Sequence, residues 1–222
     1  MVTIQCSLAQ PLVLCPDEGF FKLNIEAADS TLAAAIKSNM QNAEKKLISL
    51  ISSGAVLDLK SLCVHRAKVA WTLYCDILVL DANATSSLLE PISLGLLACL
   101  RSCRLRSVTY TPSEDETPAT DVTRISVASD ETAASSQKVG LKNAILAFRF
   151  ALDDASNVIP DPDASVTSAQ SAIFLLVDDG GRIHGVDGVP DHVTIDQCLR
   201  LATKRHKQLM NLICEAEQAA NR

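Results

Sequence analysis

No stretch of the 222-residue sequence is apolar for long enough to cross a membrane. The best candidate, 92–100, is nine residues closed off by Glu90 and Arg101, against roughly 20 for a spanning helix. The N-terminus, MVTIQCSLAQPLVLCPDEG, has no basic segment ahead of its short apolar stretch, which argues against a signal peptide. Positive charge is scarce as well. Lys and Arg total 20 against 26 Asp and Glu, a net charge of -6, so the chain does not hold nucleic acid through its overall charge and any RNA contact must be a local patch. There is no Cys-x-x-Cys pair. The eight cysteines, at 6, 15, 63, 75, 99, 103, 198 and 214, are scattered through apolar segments and read as reduced, buried, small hydrophobes. His65, His184, His192 and His206 share neither a helix face nor a metal spacing with each other or with cysteine, so no zinc site is expected. A Gly-rich phosphate loop and a clustered acid, base and nucleophile are also missing, which argues against an enzyme of small-molecule metabolism. The expectation is a soluble, intracellular chain with no metal, no cofactor and no membrane partner.

What is present is ordinary globular material: 48% hydrophobic and 21% charged residues, enough for one large or two small domains with a real core. Residues 2–8 and 20–26 (FFKLNIE) have strand character, and the turn residues of PDEG between them predict a hairpin. From 30 to 53, Leu32, Ile36, Met40, Ala43, Leu47, Leu50 and Ile51 recur mostly three or four apart, the spacing of an amphipathic helix that Gly54 can end. The run 69–81 carries Asp76 as its only charge before Asp81, which predicts a strand covered on both faces. Residues 88–100 mix leucines with small residues, as a helix packed on a sheet would. Between 107 and 140, Thr, Ser, Pro, Ala and acidic residues predict an acidic loop with a short strand near 123–127. Strands are expected again at 144–152, 172–177 and 182–186, and Thr194 with Gln197 predicts a capping box for a helix to about 219. The order β-β-α-β-α, then β-β-β-α, is an α+β arrangement with helices on mixed sheets.

The string AWTLYCDILVLD followed by LEPISLGLLACL resembles the RNase PH family, and within it the eukaryotic exosome ring subunits, where a W-x-L-Y-x-D strand leads into a leucine helix rich in small residues. PDEGFFKLNIE, DLKSLCV, VIPDPDASVTSAQSAIFLLVDDGGRIHGV and CLRLATKRHKQLMNLI resemble other strands and the closing helix of the same subunits. The resemblance implies an RNase PH-like fold of two similar halves. Residues 1–106 would be an incomplete first half, 107–140 an acidic flexible insertion and 141–222 the second half, since relatives usually carry more chain ahead of the strand that 2–7 resembles. The loop 82–87 departs from the family in lacking its usual Asp-Gly turn. Pro91 also departs, but in a helix's first turn its missing N–H had no partner to lose.

Active relatives cleave RNA from its 3′ end with inorganic phosphate, which calls for cations to hold the phosphate and acids for a divalent metal or proton transfer. Their phosphate-binding arginines lie near the helix before the central strand. Here no arginine precedes Arg66, and that helix ends Ser49, Ser52, Ser53 after Lys45 and Lys46, whose ammonium groups cannot clamp phosphate bidentately. Active relatives also carry two aspartates six residues apart around the late hairpin. Asp161 could stand for the first, but six residues on is Thr167, and no Asp or Glu lies between Asp163 and Asp178. The resemblance therefore implies a non-catalytic subunit of the nucleus, nucleolus and cytoplasm, acting in rRNA maturation and mRNA decay. It would assemble a hexameric ring with other RNase PH-like subunits, meet S1/KH cap proteins and channel RNA to a separate nuclease. The alternative is an active phosphate-dependent exoribonuclease whose site is completed across a subunit interface.

Two basic clusters are the candidate RNA contacts: Arg200, Lys204, Arg205 and Lys207 near the C-terminus, and Arg101, Arg104 and Arg106 at or beyond the end of the 88–100 helix. The plainer reading of the first is a solvated helix face, and of the second a set of cations at the negative end of a helix. Trp71, the single tryptophan, could stack on a base but reads as core among Val69, Leu73 and Ile77. Cys99 and Cys103, one turn apart, read as packing rather than as a redox pair. Asp76 reads as a hydrogen-bond acceptor rather than a catalytic acid. Apolar edge strands are expected to pair across protomers, leaving an isolated chain sticky.

Overall fold

The apolar 69–79 run needs neighbours on both of its edges, and the chain supplies them from segments far apart in sequence. The computed structural model describes residues 1–82, 87–111, 124–127, 136–153, 157–162, 172–188 and 191–220. Its first sheet contains β1 (Val2–Ala9), β2 (Phe20–Ala27), β3 (Cys63–His65) and β4 (Val69–Val79). β4 is central, with β1 antiparallel on one side and β2 parallel on the other, so Ile4 and Leu23 both sit opposite Cys75. β3 pairs with the start of β4. The expected 2–8/20–26 hairpin is thus corrected, because β4 comes between the two strands. Parallel pairing of β2 with β4 requires a crossover, which α1 (Ser30–Ser52) provides.

Period-2 alternation sends Trp71, Leu73, Cys75, Ile77 and Val79 of β4 into one core with Leu23 and Ile25 of β2 and the buried stripe of α1. On the other face Ala70 and Thr72 are buried, but Tyr74 is 37% exposed. The expectation of cover on both faces therefore holds only for the first residues of β4, since the helices lie against its odd-numbered face. α1 begins at Asp29, whose carboxylate accepts from the Leu32 N–H at 2.8 Å, and ends at Gly54, whose φ of +69° suits a residue without Cβ. Asp29→Ala is expected to cost about 1 kcal/mol, the usual value of a lost N-cap, measured by urea unfolding against Asp29→Ser, which should restore most of it.

α2 (Leu89–Ser102) separates two cores. Leu89, Ile92, Leu96 and Leu100 enter the first, and Leu97 enters the second. It rests so closely on β1 that a Cβ at Gly95 would lie 2.9 Å from Val2 Cγ2. Beyond it, β5 (Arg104–Arg106) pairs with β8 (Ser136–Lys138), and β6 (Val108–Thr111) pairs with β7 (Arg124–Val127). β7 is the short strand expected near 123–127. Residues 112–123 and 128–135, which include all the acidic residues of the 107–140 segment, lie outside the described residues, as do the positions of the departing loop from 83 to 86.

The second sheet has the order β10-β9-β11-β12, all antiparallel, from β9 (Leu146–Leu152), β10 (Val158–Pro160), β11 (Ile173–Val177) and β12 (Ile183–Asp187). α3 (His192–Ala220) covers one face of it, setting Cys198, Ala202 and Ile213 against Phe148, Phe150, Leu175 and Val177. The N-terminus of α3 is held by Asp191, whose carboxylate accepts the Thr194 N–H at 2.7 Å. This corrects the capping box: Thr194 lies inside the first turn, buried, and the stronger acceptor three residues earlier takes the cap position.

All eight cysteines are free. Cys75 and Cys198 are buried as expected, but Cys6 and Cys15 are exposed, which corrects the uniform reading of small buried hydrophobes. Cys15 belongs to an apolar turn, closed by a Leu12–Cys15 bridge, that projects Val13 and Leu14 into solvent at 95% and 92% exposure. An apolar run therefore does not imply burial where a turn carries it away from both cores. Among the described residues no helix is long and apolar enough to cross a membrane.

Candidate nucleic-acid interface

On α3 the basic residues divide by helical angle. Arg200, Lys204 and Lys207 follow one stripe, and Arg205 lies about 100° around from Lys204. The fold uses them differently. Arg200 is paired with Asp196 at 2.8 Å across one turn. Lys204 and Arg205 line a groove of about 610 Å³ between α3, the start of α2, β9 and the end of β10; Lys207 is exposed outside that lining. Arg205 donates to Gln208 Oε1 at 3.4 Å, also at the groove.

The floor of the groove is the edge of β9 that β10 leaves uncovered, since β10 pairs only with residues 150–152. Two α2 side chains one turn apart satisfy that edge. The Arg149 N–H donates to Glu90 Oε1 at 2.5 Å, and the Ala147 N–H donates to Ser93 Oγ at 3.1 Å. Burial pushes the Glu90 carboxyl up to about 7; the Arg149 amide opposes the rise and the Asp161 charge adds to it. Asp161 is tied to the same strand, its N–H donating to the Arg149 carbonyl at 3.0 Å, and it adopts the left-handed region at φ +49°. Among the described residues the buried Arg149 Nε has no hydrogen-bond partner, and the guanidinium carbon lies 5.9 Å from the Phe174 ring centroid. Arg149, Lys204 and Arg205 thus line one cleft together with two acids, Glu90 and Asp161.

The second cluster is not brought to this groove. Arg101 forms a two-pronged ion pair with Glu217 of α3, at 2.7 Å from Nε and 3.2 Å from a terminal nitrogen, and holds the Glu217 carboxyl below its usual range. Its charge clamps α2 to α3. Arg104 and Arg106 lie on β5 rather than on the helix, lining a cavity of about 500 Å³ with Cys6, Trp71 and Val127. Lys45 and Lys46 face a third cavity, of about 410 Å³, with Ser49 and Ser53. There Lys46 is paired with Asp187 and lies 5.4 Å from the Phe174 ring centroid, so its charge is already committed.

Arg149 and Glu90 are the groove residues that sequence reasoning missed. An arginine inside an apolar strand pattern, AFRFAL, is the one signal that could have marked the first. Glu90 looks like an ordinary acid in a helix's first turn until β9 is placed beside it. Trp71 is core, as expected, and Asp76 accepts from the Asn24 side-chain amide at 3.3 Å. Among the described residues no three His, Cys, Asp or Glu side chains are placed to share a metal ion.

No family model matches the chain. By sequence it is similar to exosome complex component rrp43 of Schizosaccharomyces pombe, 26% identical over 163 residues that cover 72% of this chain and 55% of that protein. The chain thus spans about half the length of this curated relative. Among solved structures, an archaeal exosome core superposes with a TM-score of 0.66 at 16% identity, covering 96% of this chain and 75% of its own. The Archaeoglobus fulgidus exosome with RNA bound to the active site gives 0.60 at 14% identity, with 95% and 77% covered. Rice (Oryza sativa) Rrp46 gives 0.56 at 11% identity, with 98% and 84% covered. The fold is RNase PH-like and α+β, and the resemblance to exosome ring subunits carried by the central-strand motif is borne out.

Proposed function

We propose that the chain is a non-catalytic subunit of an RNA exosome core ring, supporting 3′-to-5′ RNA processing and decay by assembly and by guiding RNA. The observation that carries this reading is the groove at β10. Asp161, which could stand for the first aspartate of the active relatives' pair, lines that groove, and six residues on the sequence has Thr167 rather than an acid. The likeness to rrp43 supports the assignment to a ring. Its partners would be other RNase PH-like subunits, S1/KH cap proteins and RNA, in the nucleus, nucleolus and cytoplasm, with rRNA maturation and mRNA decay as the processes served. Residues 1–106 and 141–222 would be the two halves of the family fold, joined through the 107–140 insertion. Native affinity purification of the tagged chain with mass spectrometry tests the assembly. Recovery of exosome ring and cap proteins supports it, and their absence contradicts it.

A second reading, an active phosphate-dependent exoribonuclease with a shared site, is favoured by one observation: Glu90 and Asp161 line the same cleft as Arg149, Lys204 and Arg205. In the scaffold reading those cations contact the RNA backbone. Reversing Lys204 and Arg205 together to Glu is then expected to weaken RNA binding by about tenfold or more and to flatten its salt dependence, because each phosphate contact releases condensed counterions. Filter binding at several salt concentrations checks this. An unchanged affinity would place the RNA path elsewhere, with the β5 pair Arg104 and Arg106 the next candidates.

A further inference from the structure

The close seating of α2 on β1 brings together two thiols 97 residues apart in the sequence. Cys6 of β1 and Cys103, the residue that ends α2, have their Sγ atoms 3.8 Å apart. A disulfide needs about 2.05 Å, so the two sulfurs must approach further for a bond to form. The Cys103 backbone is held by its N–H, which donates to the Cys99 and Leu100 carbonyls, while Cys6 lies on an exposed edge strand. Cys6 also lines a cavity of about 500 Å³ with Arg104 and Arg106, which gives a small oxidant access to its thiol.

We propose that Cys6 and Cys103 are a peroxide-responsive dithiol, a modification site at which oxidation ties β1 to the C-terminal end of α2. In this pair Cys6 is the attacking thiol. Its hydrogen bond with Cys103 outweighs burial and brings its pKa down to about 7, while the same contact, with burial, pushes Cys103 up. The Cys6 thiolate attacks one oxygen of hydrogen peroxide, the O–O bond breaks, and hydroxide leaves to be protonated as water. Cys103 then loses its proton and attacks the Cys6 sulfur of the resulting sulfenic acid, displacing its hydroxyl as a second water. Two thiols give up two electrons and one peroxide becomes two waters. The Cys99/Cys103 pair suggested by helical spacing is not the reactive one, because Cys99 is turned toward the Val2 carbonyl, with its Sγ 4.0 Å from that oxygen.

The test is mild hydrogen peroxide treatment of the full chain, alone or with the proteins that co-purify with it, followed by alkylation and non-reducing peptide mass spectrometry. The expected product is a Cys6–Cys103 cross-linked peptide lighter by two hydrogens, lost on adding a thiol reductant. In Cys103→Ser, oxidation should stop at a Cys6 sulfenic acid that dimedone traps, with the circular dichroism of the unmodified chain retained. A wild-type Cys6 that stays reduced, that links to Cys99 or another cysteine, or that over-oxidises without a cross-link overturns the proposal.

Discussion

Trp71→Ala is expected to lower unfolding stability by about 3 to 5 kcal/mol, the range for removing a large buried aromatic. Trp71 is 9% exposed, on the core face of β4, opposite Leu8 of β1. Its surroundings cannot collapse into the vacated space. The strand backbone is fixed on both sides by β1 and β2, and a Cβ at Gly19 would already lie 2.4 Å from the Trp71 carbonyl oxygen. Urea unfolding followed by circular dichroism checks the magnitude, with Trp71→Phe expected to lose much less. A loss below about 1 kcal/mol combined with weakened RNA binding would instead make Trp71 a stacking surface.

Glu90→Gln is expected to raise stability above pH 7 while leaving it unchanged near pH 4. The Glu90 carboxyl titrates near 7 in the folded chain and near 4.5 when free. Between those values the folded state holds more protons than the unfolded one, so stability falls as pH rises from about 4.5 to 7 and stays at its lower level above that. Gln cannot ionise, yet it keeps a carbonyl oxygen for the Arg149 N–H. Because the groove admits water, the expected gain at pH 8 is roughly 1 to 3 kcal/mol rather than the full linkage value. Unfolding curves from pH 4 to 8 measure it. Glu90→Ala should behave oppositely and destabilise at every pH, since it strands a backbone N–H. A flat wild-type profile across that range would contradict this account of Glu90.

These two residues also mark what the sequence makes legible. Trp71 lies in a run whose near-continuous apolar character announces a central strand, and α1 follows from its own 3.6-residue periodicity. The pairing of β1 and β2 is not local information. Turn residues between two strands predict a hairpin, but the most apolar strand of the chain, more than forty residues further on, competes for the same edges and wins them. β10 is not legible in the sequence, because three residues ending in proline carry almost no strand signal. In the same way, Lys204 and Arg205 are visible as a basic patch, whereas Arg149, Glu90 and Asp161 join them only because α2 caps the open edge of β9. Arg101 had equal standing in the sequence, but a glutamate 116 residues away absorbs its charge.

In the proposed function this groove guides RNA without cleaving it. The most direct test is a phosphate-dependent degradation assay on 3′-labelled RNA, using the purified chain and the assembly that co-purifies with it. The chain alone is expected to release no nucleoside diphosphates, and the assembly's activity is expected to be unaffected by Asp161→Asn. Phosphate-dependent release by the pure chain, or loss of the assembly's activity on changing Asp161, would contradict the proposed function and make Glu90 and Asp161 part of an active site.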